Sequence, residues 1–78
     1  MVELLRTYDD ECDVMYISRG EPSANALSFE DEHGLIWRQS PDGHWVGVTI
    51  PDFKYFWAGR EPELDRLVAA RLPEPVSA

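Results

Sequence analysis

The sequence has few of the residues on which small proteins often rely for stability or chemistry. It contains one cysteine, Cys12, so no disulfide can form within the chain, and such cysteine usage is typical of a reducing compartment. The first residues lack the apolar run of a signal peptide, and no stretch reaches membrane-spanning length. We therefore expect a cytoplasmic protein with no membrane segment.

Bases are also scarce, with seven lysines and arginines against fifteen acids and a net charge of −8. Residues 1–33 hold nine acids against Arg6 and Arg19, a sum of −7, whereas residues 34–78 sum to −1 with six acids and five bases. This field repels phosphate backbones and argues against direct nucleic-acid binding. It is compatible with a basic protein partner, or with an acidic surface that only maintains solubility.

The length of 78 residues predicts a single small domain over residues 1–72, followed by a frayed tail over residues 73–78. A chain of this size buries only about 60–65% of the surface that its unfolded form exposes. Since no disulfide can stabilise it, oligomerisation is the remaining means. We therefore expect a homodimer.

Residues 34–50 predict the hairpin around which the fold is organised. Pro41, Asp42 and Gly43 suit a three-residue loop, because proline presets φ and glycine adopts the left-handed conformation without strain. This loop sets a predicted register: Ser40 opposite His44, Gln39 opposite Trp45, Arg38 opposite Val46, Trp37 opposite Gly47 and Ile36 opposite Val48. One face then carries Ile36, Arg38, Val46, Val48 and Ile50, and the other Leu35, Trp37, Trp45 and Thr49. Both faces are apolar, so something must cover the second one.

Three further β-rich stretches precede the hairpin, over residues 2–8, 13–18 and 24–30. Short connections favour antiparallel pairing, so we predict a five-stranded meander. After Pro51, Asp52 can cap a short helix carrying Phe53, Phe56 and Trp57 on one side. A second helix follows, starting near Pro62, with an apolar stripe formed by Leu64, Leu67, Val68 and Leu72. The predicted class is α+β, with one or two C-terminal helices packed on the sheet.

A family resemblance rests on residues 8–17, in which Tyr8 and Asp9 are followed by Asp13 and then by Tyr16 and Ile17. This pattern resembles the opening signature of the bacterial family catalogued as domain of unknown function 2283, and the likeness extends over residues 5–55. The resemblance implies a small sheet-rich domain with no established activity. Some members look like the smaller partner encoded beside ribonuclease-type toxins, which implies an antitoxin-like partner of a basic toxin-type protein.

The acidic turn around Asp9 and Asp13 has two interpretations. Clustered carboxylates can bind a divalent cation, which would make this protein a small enzyme or a metal-binding or ligand-binding protein. The calcium-loop pattern is absent, however, and Asp9 can instead accept backbone N–H groups of the turn, which Asp13 closes. The structural interpretation is favoured.

No other group of residues predicts catalysis. His33 and His44 should lie at opposite ends of a strand pair, and Cys12 stands between acids that disfavour its thiolate. No phosphate loop, zinc ligand set or nucleophile motif is present. We predict a non-catalytic interaction protein without a cofactor.

The aromatic residues suggest where a partner would bind. Three tryptophans are many for a core this small, and tryptophan and tyrosine are common interface anchors. The predicted contact surface consists of Leu35, Trp37, Trp45, Tyr55 and Trp57. The alternative is that residues 53–57 fold back over the two hairpin tryptophans within the same chain.

Overall fold

The computed structural model describes residues 4–20 and 26–72, which form an antiparallel sheet followed by two helices. The strands are β1 Leu4–Asp9, β2 Val14–Arg19, β3 Leu27–Glu30, β4 Ile36–Gln39 and β5 Trp45–Pro51, and the helices are α1 Phe53–Trp57 and α2 Glu61–Arg71. The predicted α+β class, the five antiparallel strands and the two short helices are confirmed. Predictions for residues 2–3, 24–25 and 73–78 lie outside the described residues.

The strand order is β1-β2-β5-β4-β3. A meander in chain order would place β3 beside β2, but β5 occupies that position and pairs with both β2 and β4. The reason is the composition of β5, whose Val48 and Ile50 are almost completely buried. A central position satisfies both backbone edges of this apolar strand and leaves the exposed strand β3 at the edge.

The hairpin loop forms as predicted, and its register departs from the prediction beyond the second pair. Ser40 N–H donates to His44 O at 2.8 Å, and Gly43 has a φ of 94°. Gln39 lies opposite Trp45, but a bulge then pairs Arg38 with Gly47, Trp37 with Val48 and Ile36 with Thr49. The extra residue on β5 lets the strand bend and brings Val48 and Ile50 onto the face of Trp37.

The bulge corrects the prediction that both faces of the hairpin are apolar. One face, here the covered face, carries Trp37, Val48, Ile50 and Ile17, and α2 packs on it through Leu64, Val68 and Leu72. The other, the open face, holds Tyr16, Ile36, Arg38 and Thr49. None of the described helices is long and apolar enough to cross a membrane.

Candidate functional site

Most of the predicted contact surface lies inside the core, which corrects that prediction. Leu35, Trp37 and Trp57 are each at most 3% exposed, because they belong to the core between the sheet and the C-terminal helices. The Tyr55 side chain is 85% exposed, and Trp45 is partly buried. Of the five residues, only these two can contact a partner.

Trp45 is partly shielded by a side chain of the same molecule. The guanidinium carbon of Arg71, in the last turn of α2, lies 4.7 Å from the ring centroids of both Trp37 and Trp45. The two indoles meet edge to face with centroids 6.1 Å apart, and Phe29 contacts Trp45 in the same manner. Arg71 thus covers both indoles through cation–π contacts. The alternative predicted a cover by residues 53–57, whereas this cover comes from α2 of the same chain.

Acidic residues are concentrated on the surface at one end of the sheet. Val14 of β2 lies opposite Pro51, and β4 begins opposite Thr49, so the β1–β2 turn, the β3–β4 turn and the start of α1 share this end. We call it the acidic end, because it carries Asp9, Asp10, Glu11, Asp13, Glu30, Asp31, Glu32 and Asp52. The two turns belong to opposite halves of the sheet, and α1 lies between them.

Asp9 and Asp13 have structural roles in this region. Asp9 Oδ1 accepts the backbone N–H groups of Glu11 and Cys12, as the turn interpretation predicts. Asp13 instead reaches α1: its carboxylate accepts Lys54 N–H at 2.8 Å and Tyr55 N–H at 3.0 Å, and its carbonyl accepts Phe53 N–H. Asp13 therefore satisfies the free N–H groups at the start of a helix about forty residues away.

The predicted N-cap position of Asp52 at the start of α1 is confirmed, but the predicted capping by its side chain is not. Asp52 occupies the position before the helix with a left-handed φ of 53°, and its side chain makes no capping hydrogen bond. Phe56 also departs from the prediction, because it points partly into solvent while Trp57 is buried. Capping by Asp13 could not be inferred locally, since the two segments meet only when β2 pairs with β5.

The ionisation of Asp13 follows from these contacts. The Lys54 N–H, together with the hydroxyl of Tyr8 at 2.8 Å and the Tyr55 N–H, lowers the pKa of the Asp13 carboxyl. The same hydrogen bond to Asp13 raises the pKa of Tyr8 to about 12. Both Asp13 oxygens are occupied, and in residues 4–20 and 26–72 no three His, Cys, Asp or Glu side chains are grouped to hold a metal. The cation-site alternative has no support from this geometry.

We expect Asp13→Asn to lower the melting temperature by about 5 °C, because an amide nitrogen would face one of the helix N–H donors. Asparagine tolerates the left-handed backbone of position 13, where φ is 55°, so the change acts through the side chain. Hydrogen exchange at Lys54 and Tyr55 should also accelerate. Asp10→Asn, which removes the same charge from an exposed turn position, is the matched control. An equal loss in both variants would contradict the capping role.

Asp31 organises the β3–β4 turn and was not predicted as an individual site. Its carboxylate accepts the His33 and Leu35 backbone N–H groups and the Trp37 indole Nε1–H at 2.7 Å. Partial burial alone would raise the pKa of Asp31, but the hydrogen bonds from Trp37, Leu35 and His33 outweigh it and lower that pKa. The aspartate two residues before His33 and a glycine at Gly34 are the sequence signals for this turn.

Helix α1 brings exposed aromatic rings between the two acidic turns. Tyr55 is held against the β1–β2 turn by Asp13, and a cavity of about 170 Å³ beside Tyr55 and Phe56 reaches His33 and Gly34 of the β3–β4 turn. Phe56 is 49% exposed, and the guanidinium carbon of Arg60 lies 4.9 Å from its ring centroid. The acidic end therefore combines exposed aromatic surface with surrounding carboxylates.

The two histidines and the cysteine lie in three separate turns. His33 and His44 lie in turns at opposite ends of β4, as expected, and Cys12 is exposed in the β1–β2 turn.

Comparisons with protein-family models, curated proteins and solved structures gave no match to this chain. The family resemblance therefore stays a prediction.

Proposed function

We propose that this protein is a non-catalytic interaction module that binds a basic protein through its acidic end. The observation that carries the proposal is the placement of the exposed α1 aromatics Tyr55 and Phe56 between two acidic turns. An antitoxin-like role, in which the partner is a basic toxin-type protein, is the specific form of the proposal that the family resemblance suggests.

The two components of the acidic end have different roles in binding. Exposed carboxylates at Asp10, Glu11 and Glu32 attract a basic partner and accelerate its association. The Tyr55 and Phe56 rings supply apolar contact area and faces on which arginine or lysine can stack. The chain already makes such contacts internally, since Lys54 lies over the Tyr8 ring at 5.1 Å. Aromatic anchors surrounded by polar groups are the usual composition of energetic centres in interfaces.

The test is a binding titration with an arginine-rich peptide, monitored by calorimetry, with an acidic peptide of equal length as the negative probe. We expect Tyr55→Ala to weaken binding by about tenfold, which is the scale of an aromatic anchor. Folding should not change, because the ring is 85% exposed. Binding should also weaken as salt increases, because screening reduces the attraction between opposite charges.

A matched pair of variants distinguishes binding at this site from nonspecific binding to any exposed aromatic ring. Phe56 and Phe29 are 49% and 46% exposed, and each contacts one tryptophan ring edge to face. Phe56→Ala should weaken peptide binding, and Phe29→Ala, on the edge strand β3, should not. Equal effects of the two changes, or binding that salt does not affect, would overturn the proposal.

A further inference from the structure

The register places on the open face two rows of side chains that cross all five strands, and a shorter row of Asp9, Val14 and Pro51 beside the acidic end. One long row contains Thr7, Tyr16, Thr49, Ile36 and Glu30, and the other contains Leu5, Ser18, Gly47, Arg38 and Ser28. Leu5 is 52% exposed and Tyr16 is 43% exposed. Neither α1 nor α2 packs on this face, because the core to which they contribute lies on the covered face.

Charge distinguishes this face from the rest of the molecule. The two long rows contain one acid, Glu30 on the edge strand, and one base, Arg38, although the whole chain has a net charge of −8. The further acid on this face, Asp9, lies at its border, where Oδ1 accepts backbone N–H groups of the β1–β2 turn. Most other carboxylates lie in the turns at the acidic end or on α2. Two copies of a strongly acidic protein repel each other, so they can associate most favourably through a surface whose charges balance.

We propose that the open face is the interface of a homodimer, in which a second copy packs its own open face against it. The contact would be self-complementary about a two-fold axis, as in most homodimers. Thr7, Tyr16, Ser18 and Thr49 provide hydroxyl groups around a cavity of about 330 Å³ that is also lined by Leu5 and Arg38. Leu5 and Tyr16 would supply the apolar contact that each lacks in the single chain.

The available area sets the expected strength of the dimer. Five strands that are four to seven residues long and spaced by about 4.8 Å cover roughly 430 Å² per copy. Two copies would therefore bury roughly 860 Å² in total, which lies below the roughly 1,200 Å² of stable interfaces and in the range of weak ones. We therefore expect a dimer that dissociates in the micromolar range and not an obligate one.

Analytical ultracentrifugation tests this proposal over protein concentrations from about 1 to 200 µM. The mass should rise from monomer to dimer, and the dimer should become stronger between about 0.05 and 0.5 M salt, because screening weakens the repulsion between two acidic chains. This salt dependence has the opposite sign to the one expected for the basic partner. The failure of either proposal can therefore be recognised without the other.

Leu5→Glu should weaken the dimer at least tenfold, because it places like charges across the two-fold axis. Leu27→Glu makes the same substitution at an exposed position of β3 and should leave the dimer intact. Thr7→Glu, on the edge strand β1, is the second variant in case Leu5→Glu is poorly folded by circular dichroism. A wild-type monomer at every concentration, or equal effects of Leu5→Glu and Leu27→Glu, would overturn the proposal.

Discussion

Leu64→Ala is expected to remove about 3 kcal/mol from the free energy of unfolding, which is the usual cost of a truncated core leucine. Leu64 is 4% exposed and belongs to the stripe of α2 that covers Trp37, Val48 and Ile50. The substitution removes apolar contact and leaves a cavity between helix and sheet. Because a domain of this length is stable by only about 5–10 kcal/mol, the change should be evident in urea unfolding followed by tryptophan fluorescence.

Leu27→Ala provides the matched control, since it is the same chemical change on the exposed strand β3. It should alter the unfolding free energy by less than about 0.5 kcal/mol, as surface substitutions usually do. Comparing the unfolding free energies of Leu64→Ala and Leu27→Ala shows whether α2 or another molecule packs on the covered face. If Leu64→Ala were as mild as Leu27→Ala, α2 would contribute little to the core and Trp37 would need a different cover.

The fold was largely predictable because local signals agree with it. The Pro41, Asp42 and Gly43 loop fixes the hairpin, and the spacing of Leu64, Val68 and Leu72 fixes the buried side of α2. The bulge near Val46 has no such local signal, because it depends on how β5 bends to pack under α2. The shift of one residue that it causes moved Val48 and Ile50 to the face of Trp37.

The candidate site was less predictable, because its contacts join distant parts of the chain. Asp13 and Lys54 are 41 residues apart, and they meet only because β2 pairs with β5. Likewise, the joint location of both acidic turns follows from the strand order and not from either turn alone. The sequence did indicate the aromatic content of residues 53–57, but only the helix geometry separates exposed Tyr55 from buried Trp57.

Asp31→Asn is expected to lower the free energy of unfolding by about 2 kcal/mol, the cost of leaving a buried donor without an acceptor. Asp31 Oδ2 accepts the indole N–H of Trp37, while Oδ1 accepts the N–H groups of His33 and Leu35. An amide offers one oxygen only, so its nitrogen must face a donor on one of the two sides. Glu32→Gln, which neutralises the exposed neighbouring residue, should have little effect.

The lowered pKa of Asp31 determines how the effect of Asp31→Asn on stability changes with pH. The pKa of Asp31 is lowered in the folded state, so its stabilising effect is complete above the unfolded-state value of about 3.9 and disappears as the pH falls through the folded-state value. Asp13 and Asp42 also have lowered pKa values, so Asp31→Asn removes one of several acid-sensitive contributions. The stability difference between wild type and Asp31→Asn should therefore be constant near neutral pH and decrease below about pH 4. If the stability difference between wild type and Asp31→Asn stayed the same in acid, the charge of the Asp31 carboxylate would not be what holds the Trp37 indole. The substitution would then act only because an amide nitrogen replaces an oxygen acceptor.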